Sequence, residues 1–339
     1  FAFGDARFFG SMGGVKLNAP VRGMLVQPGA PDLILGPADD APPGTPAPPA
    51  PPGTPAPPSQ PDNRVATLVG AGDIASCGSN PATSKAEATA QLLEAIPSDP
   101  STVVFTAGDN AYSSGSASEY KNCYDATWGS QKYRTRPSPG NHEYNTTGAA
   151  GYFGYFGAVA GQPGQGWYSY DLGAWHVVVL NSNCSSVGGC QAGSAQEKWL
   201  RADLAASPAA CTVAIWHHPR FNSGKVHGND TAVGPLWDDL YANGADLVLS
   251  GHEHVYERFA PQTPSGVADP AHGIRQFTVG TGGGGAYTFG TIQPNSEKRA
   301  APNGVLQLTL RATGYDWNFI PVAGQTFTDS GTGACHGKP

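Results

Sequence analysis

The sequence predicts an α/β (α+β) fold in which two mixed β-sheets pack face to face with helices on their outer sides. Three observations lead there: apolar runs of strand length, segments with a helical apolar stripe set between them, and a late series of strands without helices. Val65–Ala71 and Thr102–Ala107 are the first two strands. Between them Ser84–Ile96 places Ala86, Ala90, Leu92, Leu93 and Ile96 on a helical stripe, which completes a β-α-β unit. Further strands are expected at Trp167–Leu172, Trp175–Asn181, Thr212–Trp216, Asp246–Leu249, Gln276–Val279 and Val305–Leu310, and further helices at Gly193–Ala206 and Gly234–Ala242.

Ahead of these elements the composition changes. Twelve prolines lie between Pro37 and Pro61, and APPGTPAPP occurs twice in succession at 41–49 and 50–58. Such a stretch cannot bury a core, so an extended polyproline spacer of about 75 Å is expected, dividing the chain into residues 1–36, a linker at 37–63 and a long region at 64–339. The first piece alternates short apolar runs with Gly and Asn-Ala-Pro turns, which reads as three or four short strands, too few to fold alone.

Charged residues make up only 13% of the 339 positions, against roughly 25% in an average soluble protein, and Gly (46) and Pro (31) are abundant, so the surface is quiet and the chain turns often. The net charge of −7 argues against a nucleic-acid backbone as partner, because that partner demands a basic face. No window of eighteen apolar residues exists, so no membrane span is expected. The chain opens at Phe1 without a charged-then-apolar leader; any targeting peptide is expected to have been removed or to lie upstream. Six cysteines without CxxC spacing point to disulfides, hence to a secreted or cell-envelope location. Fifteen pairings are open to six cysteines, and the sequence does not choose among them. The pairing taken as an expectation is Cys77 with Cys123, Cys184 with Cys190 and Cys211 with Cys335.

The polar residues that stand out sit where the strands end, the edge at which open α/β sheets hold their ligands. Asp73 follows the first strand in AGDIA. Asp109 follows the second in AGDNAY, with Tyr112 three residues later. Asn141 and His142 follow Pro139 in PGNHEY, His217 and His218 lie in IWHHP, and His252 and His254 in SGHEHVYER. Each segment alone has a bland explanation: an Asp after Gly is more often a turn or a cap, and a His beside Pro is more often structural. The HxH pair is stronger, because alternate residues of an extended segment face the same way and can grip one metal or two adjacent ones. Five such segments at five strand ends make a ligand set of oxygen and imidazole donors, suited to Zn, Mn or Fe. Two adjacent ions sharing a carboxylate are the arrangement that phosphate-ester hydrolysis uses most.

In this order GD, GDxxY, GNHE, HxP and GHxHxYER resemble the calcineurin-like metallophosphoesterases, and within them the purple acid phosphatase branch, over about residues 64–339. Most of that superfamily begins with DxH, whereas Asp73 is followed two positions on by Ala75; the branch replaces that histidine with the tyrosine of GDxxY, here Tyr112. The resemblance implies a metallophosphoesterase-type four-layer sandwich. It also implies one metal site made of Asp73, Asp109, Tyr112 and His254 and a second made of Asp109, Asn141, His217 and His252, with Asp109 bridging. Two carboxylates, a phenolate and a bridging hydroxide carry four negative charges, so Fe(III) with a divalent Zn, Mn or Fe ion leaves one positive charge to attract a phosphate dianion.

The activity implied is hydrolysis of a small phosphate monoester by attack of a metal-bound hydroxide, with His142 contacting the phosphate and assisting the leaving group. His227 lies where plant members carry another substrate histidine, although GKVHGND differs from their sequence. Glu143 and Arg258 fit supporting roles, and His218, at the variable position of HxP, fits a supporting or exposed one. The alternatives are a phosphodiesterase or nucleotide hydrolase on the same metals, and a catalytically silent, metal-stabilised binding module. Gly282–Gly285 is a tight loop near the metals rather than a phosphate loop, since no Lys-Ser/Thr follows it. Residues 1–36, FAFGDARFFGSMGGVKLNAPVRGM and onward, resemble one unit of a propeller-like repeat of actinobacterial envelope proteins, which implies envelope attachment through upstream repeats.

Overall fold

The computed structural model describes residues 65–78, 80–81 and 84–337. The repeat unit expected at 1–36 and the linker expected at 37–63 lie outside the described residues. Along the chain run β1 (Ala66–Ala71), β2 (Ala75–Ser76), α1 (Lys85–Glu94), β3 (Thr102–Ala107), β4 (Ala111–Tyr112), the single turn α2 (Ala117–Glu119), β5 (Thr135–Ser138) and α3 (Ala150–Phe156). Then follow β6 (Tyr168–Leu172), β7 (Trp175–Val179), α4 (Ala195–Ala206), β8 (Cys211–Ile215), α5 (Gly234–Ala242), β9 (Leu247–Ser250) and β10 (Tyr256–Phe259). The chain closes with β11 (Arg275–Val279), β12 (Ser296–Ala300), β13 (Gly304–Arg311), β14 (Gly314–Pro321) and β15 (Ser330–Ala334).

One sheet has the order β15-β14-β13-β1-β3-β5, the other β12-β10-β11-β9-β8-β7-β6. Strands β1, β3 and β5 are parallel in the first, and β7, β8, β9 and β11 in the second. Successive side chains of a strand point to opposite faces, and the buried strands use both. Leu68, Phe105, Val177, Val213, Leu247 and Phe277 fill the core between the sheets. Their neighbours Val69 and Val104 pack outward under α1 and α3, while Val178, Ala214 and Val248 pack outward under α4 and α5. The result is four layers, helices on each side of two sheets. Each large apolar side chain so buried stabilises the fold by about 1.5–3 kcal/mol.

The helices begin where the sequence signals them. Ser84 caps α1 by accepting from the Glu87 N–H at 3.0 Å, and Ser194 caps α4 through the Glu197 N–H at 3.2 Å. The pairs Cys77–Cys123, Cys184–Cys190 and Cys211–Cys335 are all formed, and no described cysteine is free. Among the described residues no helix is long and apolar enough to cross a membrane.

Candidate metal centre

Because β1, β3 and β5 run parallel in one sheet and β8 and β9 in the other, the segments that follow them converge at one edge of the sandwich. The loops after β1 and β3 lie side by side: Asp73 N donates to Gly108 O, Ile74 N to Asp109 O, and the two-residue strands β2 and β4 pair in parallel beyond them. This pairing carries Tyr112 back over Asp73. Asp73, Asp109 and His252 all adopt left-handed backbone, with φ of 61°, 51° and 70°. Such conformations cost free energy and cluster at functional sites.

Two groups of side chains meet here and share one carboxylate oxygen. In the first, Tyr112 Oη lies 2.8 Å from Asp73 Oδ1, 3.1 Å from Asp109 Oδ2 and 3.1 Å from His254 Nε2. In the second, His217 Nε2 lies 3.3 Å from Asp109 Oδ2, 3.0 Å from Asn141 Oδ1 and 3.1 Å from His252 Nδ1. The HxH pair does not act through an extended segment as expected. His252 turns left-handed, its N–H donates to Asp73 Oδ2 at 2.8 Å, and the bend sends the two imidazoles to different groups.

Hydrogen counting shows what these groups fit. His254 Nδ1 faces the Gly285 carbonyl at 2.6 Å and His217 Nδ1 the Ala107 carbonyl at 2.7 Å. A carbonyl only accepts, so each Nδ1 carries a proton, and each Nε2 of the neutral ring presents a lone pair. Asp73 Oδ1, Asp109 Oδ2 and His254 Nε2 then surround the single hydroxyl hydrogen of Tyr112, and Asn141 Oδ1 and Asp109 Oδ2 face the lone pair of His217. This surplus of electron pairs is the chemistry of a cation site.

The electrostatics agree. Burial opposes a charged His217, but the Asp109 carboxylate outweighs it and raises its affinity for a proton; a metal ion answers the same field. Burial and the neighbouring imidazoles push His218 down to about 3 and His252 lower still, so both rings are neutral donors. Burial, with Asp73 and Asp109, raises Tyr112 well above an ordinary phenol, so it keeps its proton unless a strong cation replaces it.

Glu143 holds this arrangement from behind. Fully buried, it accepts from the N–H groups of Gly140 at 2.6 Å, Asn110 at 2.9 Å and Asp109 at 3.0 Å, and from the Tyr120 hydroxyl at 3.0 Å. It thereby ties the Asp109 loop to the Asn141 loop. Gly108, at φ 82°, is needed beside it, because a Cβ there would come within 2.5 Å of His217 Nδ1. The Gly282–Gly285 loop wraps the first group: Gly284 N donates to Asp73 O, and a Cβ on Gly284 would meet His254 Nδ1 at 2.7 Å.

His142 stands at the rim, its Nδ1 held by Ser113 O at 2.6 Å and its Nε2 3.8 Å from Asp109 Oδ2. The His227 ring lies 3.8 Å from that of His252. His218 lies beside the second group: a nitrogen of its ring lies within 4.8 Å of those of His217 and His252, and Ser182 Oγ pairs with its Nδ1 at 2.7 Å. Arg258 is a correction. It binds Asp329 at 2.7 Å and pairs with Glu297, joining the two sheets rather than supporting the candidate ligands, because its strand turns it toward Trp317.

Three contributors escaped the sequence reading. Tyr287 stacks on His254 at 4.1 Å, and Glu253 accepts from the His227 and Val226 N–H groups and from Asn222 Nδ2, fixing the loop that carries His227. For Glu253 the signal was its place between His252 and His254; for Tyr287 and Asn222 there was none.

The calcineurin-like phosphoesterase family model matches residues 66–256, more than half of the chain, and the chain belongs to that family. The family implies a dinuclear metal centre, and the candidate ligand groups are those just described. Purple acid phosphatase 18 of Arabidopsis thaliana is 32% identical over 122 residues, covering 34% of this chain and 26% of that one. An uncharacterized protein of Mycobacterium tuberculosis is 28% identical over 209 residues, covering 50% of this chain and 39% of that one. The matches thus span well under half of these relatives' own length. The purple acid phosphatase structure from yellow lupin seeds shares the fold, with a TM-score of 0.62 at 20% identity over 80% of this chain and 54% of that one.

Proposed function

We propose that the chain is a binuclear metal-dependent hydrolase of small phosphate monoesters, exported to the cell exterior or envelope. The single observation that carries this is Asp109 Oδ2, set within about hydrogen-bonding distance of ligand atoms in both groups at once. Asp73, Asp109, Tyr112 and His254 would hold one ion, and Asp109, Asn141, His217 and His252 the other. Bound there, the ion pair supplies Lewis acidity toward a phosphoryl group and eases the loss of a proton from water. Tyr112, raised by burial and by its carboxylate neighbours, calls for a trivalent ion, which favours Fe(III) in the first site beside divalent Zn, Mn or Fe. The residual positive charge suits a dianionic monoester better than a monoanionic diester.

The protein's own residues position and protonate. His142, fixed through Nδ1 by Ser113 O, keeps Nε2 at the rim, where it meets the phosphoester and delivers a proton to the departing alkoxide oxygen. His227, on the loop braced by Glu253, adds a donor from the opposite side. Export is supported by the pairing of all six cysteines, which requires an oxidising compartment. The test is hydrolysis of matched mono- and diesters by the purified protein before and after chelation. Faster monoester turnover that chelation abolishes and metal restores is expected; chelator-insensitive turnover, or none with metals bound, would contradict it.

A further inference from the structure

On the far side of the His227 loop lies a cavity of about 240 Å³ lined by Arg220, Asn229, Gln262, Ser265 and Gln293 among others, none of them acidic. Two of these residues carry a buried side-chain nitrogen without a partner among the described residues, Arg220 Nε and Gln262 Nε2. The orientation of the Gln262 amide is settled by its neighbour. Asn295 Nδ2 donates to the Gly266 carbonyl at 2.8 Å and so must also donate to Gln262, which turns Oε1 toward it at 2.9 Å and leaves Nε2 with two hydrogens and no acceptor. Gln262 is fully buried, so this donor lacks the hydrogen bond that buried polar groups nearly always make unless something accepts from it.

Arg220 spends one Nη2 hydrogen on Pro264 O at 3.2 Å and lies over the Phe221 ring at 4.8 Å, and among the described residues it forms no ion pair. Asp230 acts on it electrostatically, but burial raises the Asp230 carboxyl, and its Oδ1 is taken by the Ala232 N–H at 2.7 Å. A half-buried guanidinium and an orphaned amide N–H₂, on a lining that itself holds no carboxylate, make a donor-rich recess.

We infer that this recess is a second oxyanion site, separate from the metal centre, that takes a carboxylate or phosphate group through Arg220 and Gln262. Arg220 lies three positions after His217, so their Cα atoms are at most about 11 Å apart. The opposite wall is tied to the centre through hydrogen bonds: Asn229 Oδ1 accepts from Asn222 N at 2.7 Å, and Asn222 Nδ2 donates to Glu253, between the two histidines. Its occupant is either the second acidic group of a substrate or a free anion.

Equilibrium dialysis of the metal-loaded full chain against labelled sulfate tests the site without relying on any hydrolytic activity. The unaltered protein should bind one more sulfate per chain than Arg220→Gln, with equal metal content in both; equal binding overturns the site. Selenate diffused into crystals of the unaltered protein provides a check that needs no variant: a selenium peak within hydrogen-bonding distance of Arg220 and Gln262 is expected, and none there while the metal centre is filled overturns it. The source of the anion follows from kcat/KM for a phosphomonoester bearing a carboxylate relative to one bearing an amide. Arg220→Gln should lower that ratio about tenfold if the group belongs to the substrate, and leave it unchanged, with the extra sulfate lost, if the anion is free.

Discussion

Two polar clusters of this molecule, one buried at the strand ends and one partly exposed between the sheets, contain the same kinds of residue and differ in how they are balanced. Between the sheets, Arg258 and Arg275 lie over Trp317 and meet Asp329 and Glu297, while the Tyr256 hydroxyl completes Asp329 at 2.7 Å. Cations and carboxylates there are equal in number, and every carboxylate has hydrogens pointed at it. At the strand ends, Asp73, Asp109, Asn141, His217 and His254 direct more electron pairs inward than there are hydrogens to meet them. A closed set of charges braces a fold, whereas an open one is waiting for a cation.

The contrast breaks most sharply at Asp109, the residue common to both ligand groups. Asp109→Asn should lose several kcal/mol of transition-state stabilisation, on the order of a thousandfold in kcat/KM, with an unchanged circular dichroism spectrum. In the balanced cluster the opposite pattern is expected. Arg258→Met strands the buried Asp329 and should lower unfolding stability by about 3 kcal/mol in urea, and Arg258→Met with Asp329→Leu should recover much of it, while kcat of the folded fraction stays as it was. Equal losses of kcat in both would erase the distinction.

Glu143 tests how far the open cluster depends on its backing. Glu143→Gln keeps the shape but replaces an acceptor oxygen by a donor facing the N–H groups of Asp109, Asn110 and Gly140, and should weaken metal affinity or activity about 10–100-fold. Tyr112→Phe should leave the fold intact and remove visible colour; an unchanged absorption spectrum would rule out a ferric phenolate.

The smallest effect lies outside both clusters. Burial opposes the charge of Glu119, but hydrogen bonds from Ser114, Ser116 and Ser113 outweigh it and hold the carboxyl down at about 2, against an ordinary value of 4.5. A lowered carboxyl contributes stability that is present above the unfolded value and lost as pH falls through the folded one. Glu119→Gln should therefore remove about 1 kcal/mol above pH 4.5, after allowance for solvent screening, and the difference should fade toward pH 2. A constant difference across that window would exclude this origin.

Much of this was legible because parallel strands buried on both faces write long apolar runs and the helices over them an apolar stripe: the strand Thr102–Ala107 and the helix Gly234–Ala242 appear in the structure with the very bounds their sequence suggests. Three of the four edge strands leave no such trace. β12 reads SEKRA and is largely exposed, β15 reads SGTGA, and β5 contains Pro137 at the edge of its sheet. α3 was hidden by Gly151 and Gly154, poor helix formers that interrupt its aromatic stripe. β14 was a readable miss, for Tyr315, Trp317 and Phe319 alternate into the core. At the site, residues next to strand ends could be found from the pattern alone. Tyr287, Ser182 and the true partner of Arg258 depend on loop paths and strand register that no local pattern encodes.

The most direct test of an open cluster that holds two cations is elemental mass spectrometry on protein purified without added metal, with a visible spectrum of the same sample. About two ions per chain including iron, and a broad visible band, are the predicted result. Two colourless ions would keep the centre and displace the ferric assignment at Tyr112. A folded protein carrying no metal, and taking none up from solution, would contradict the account.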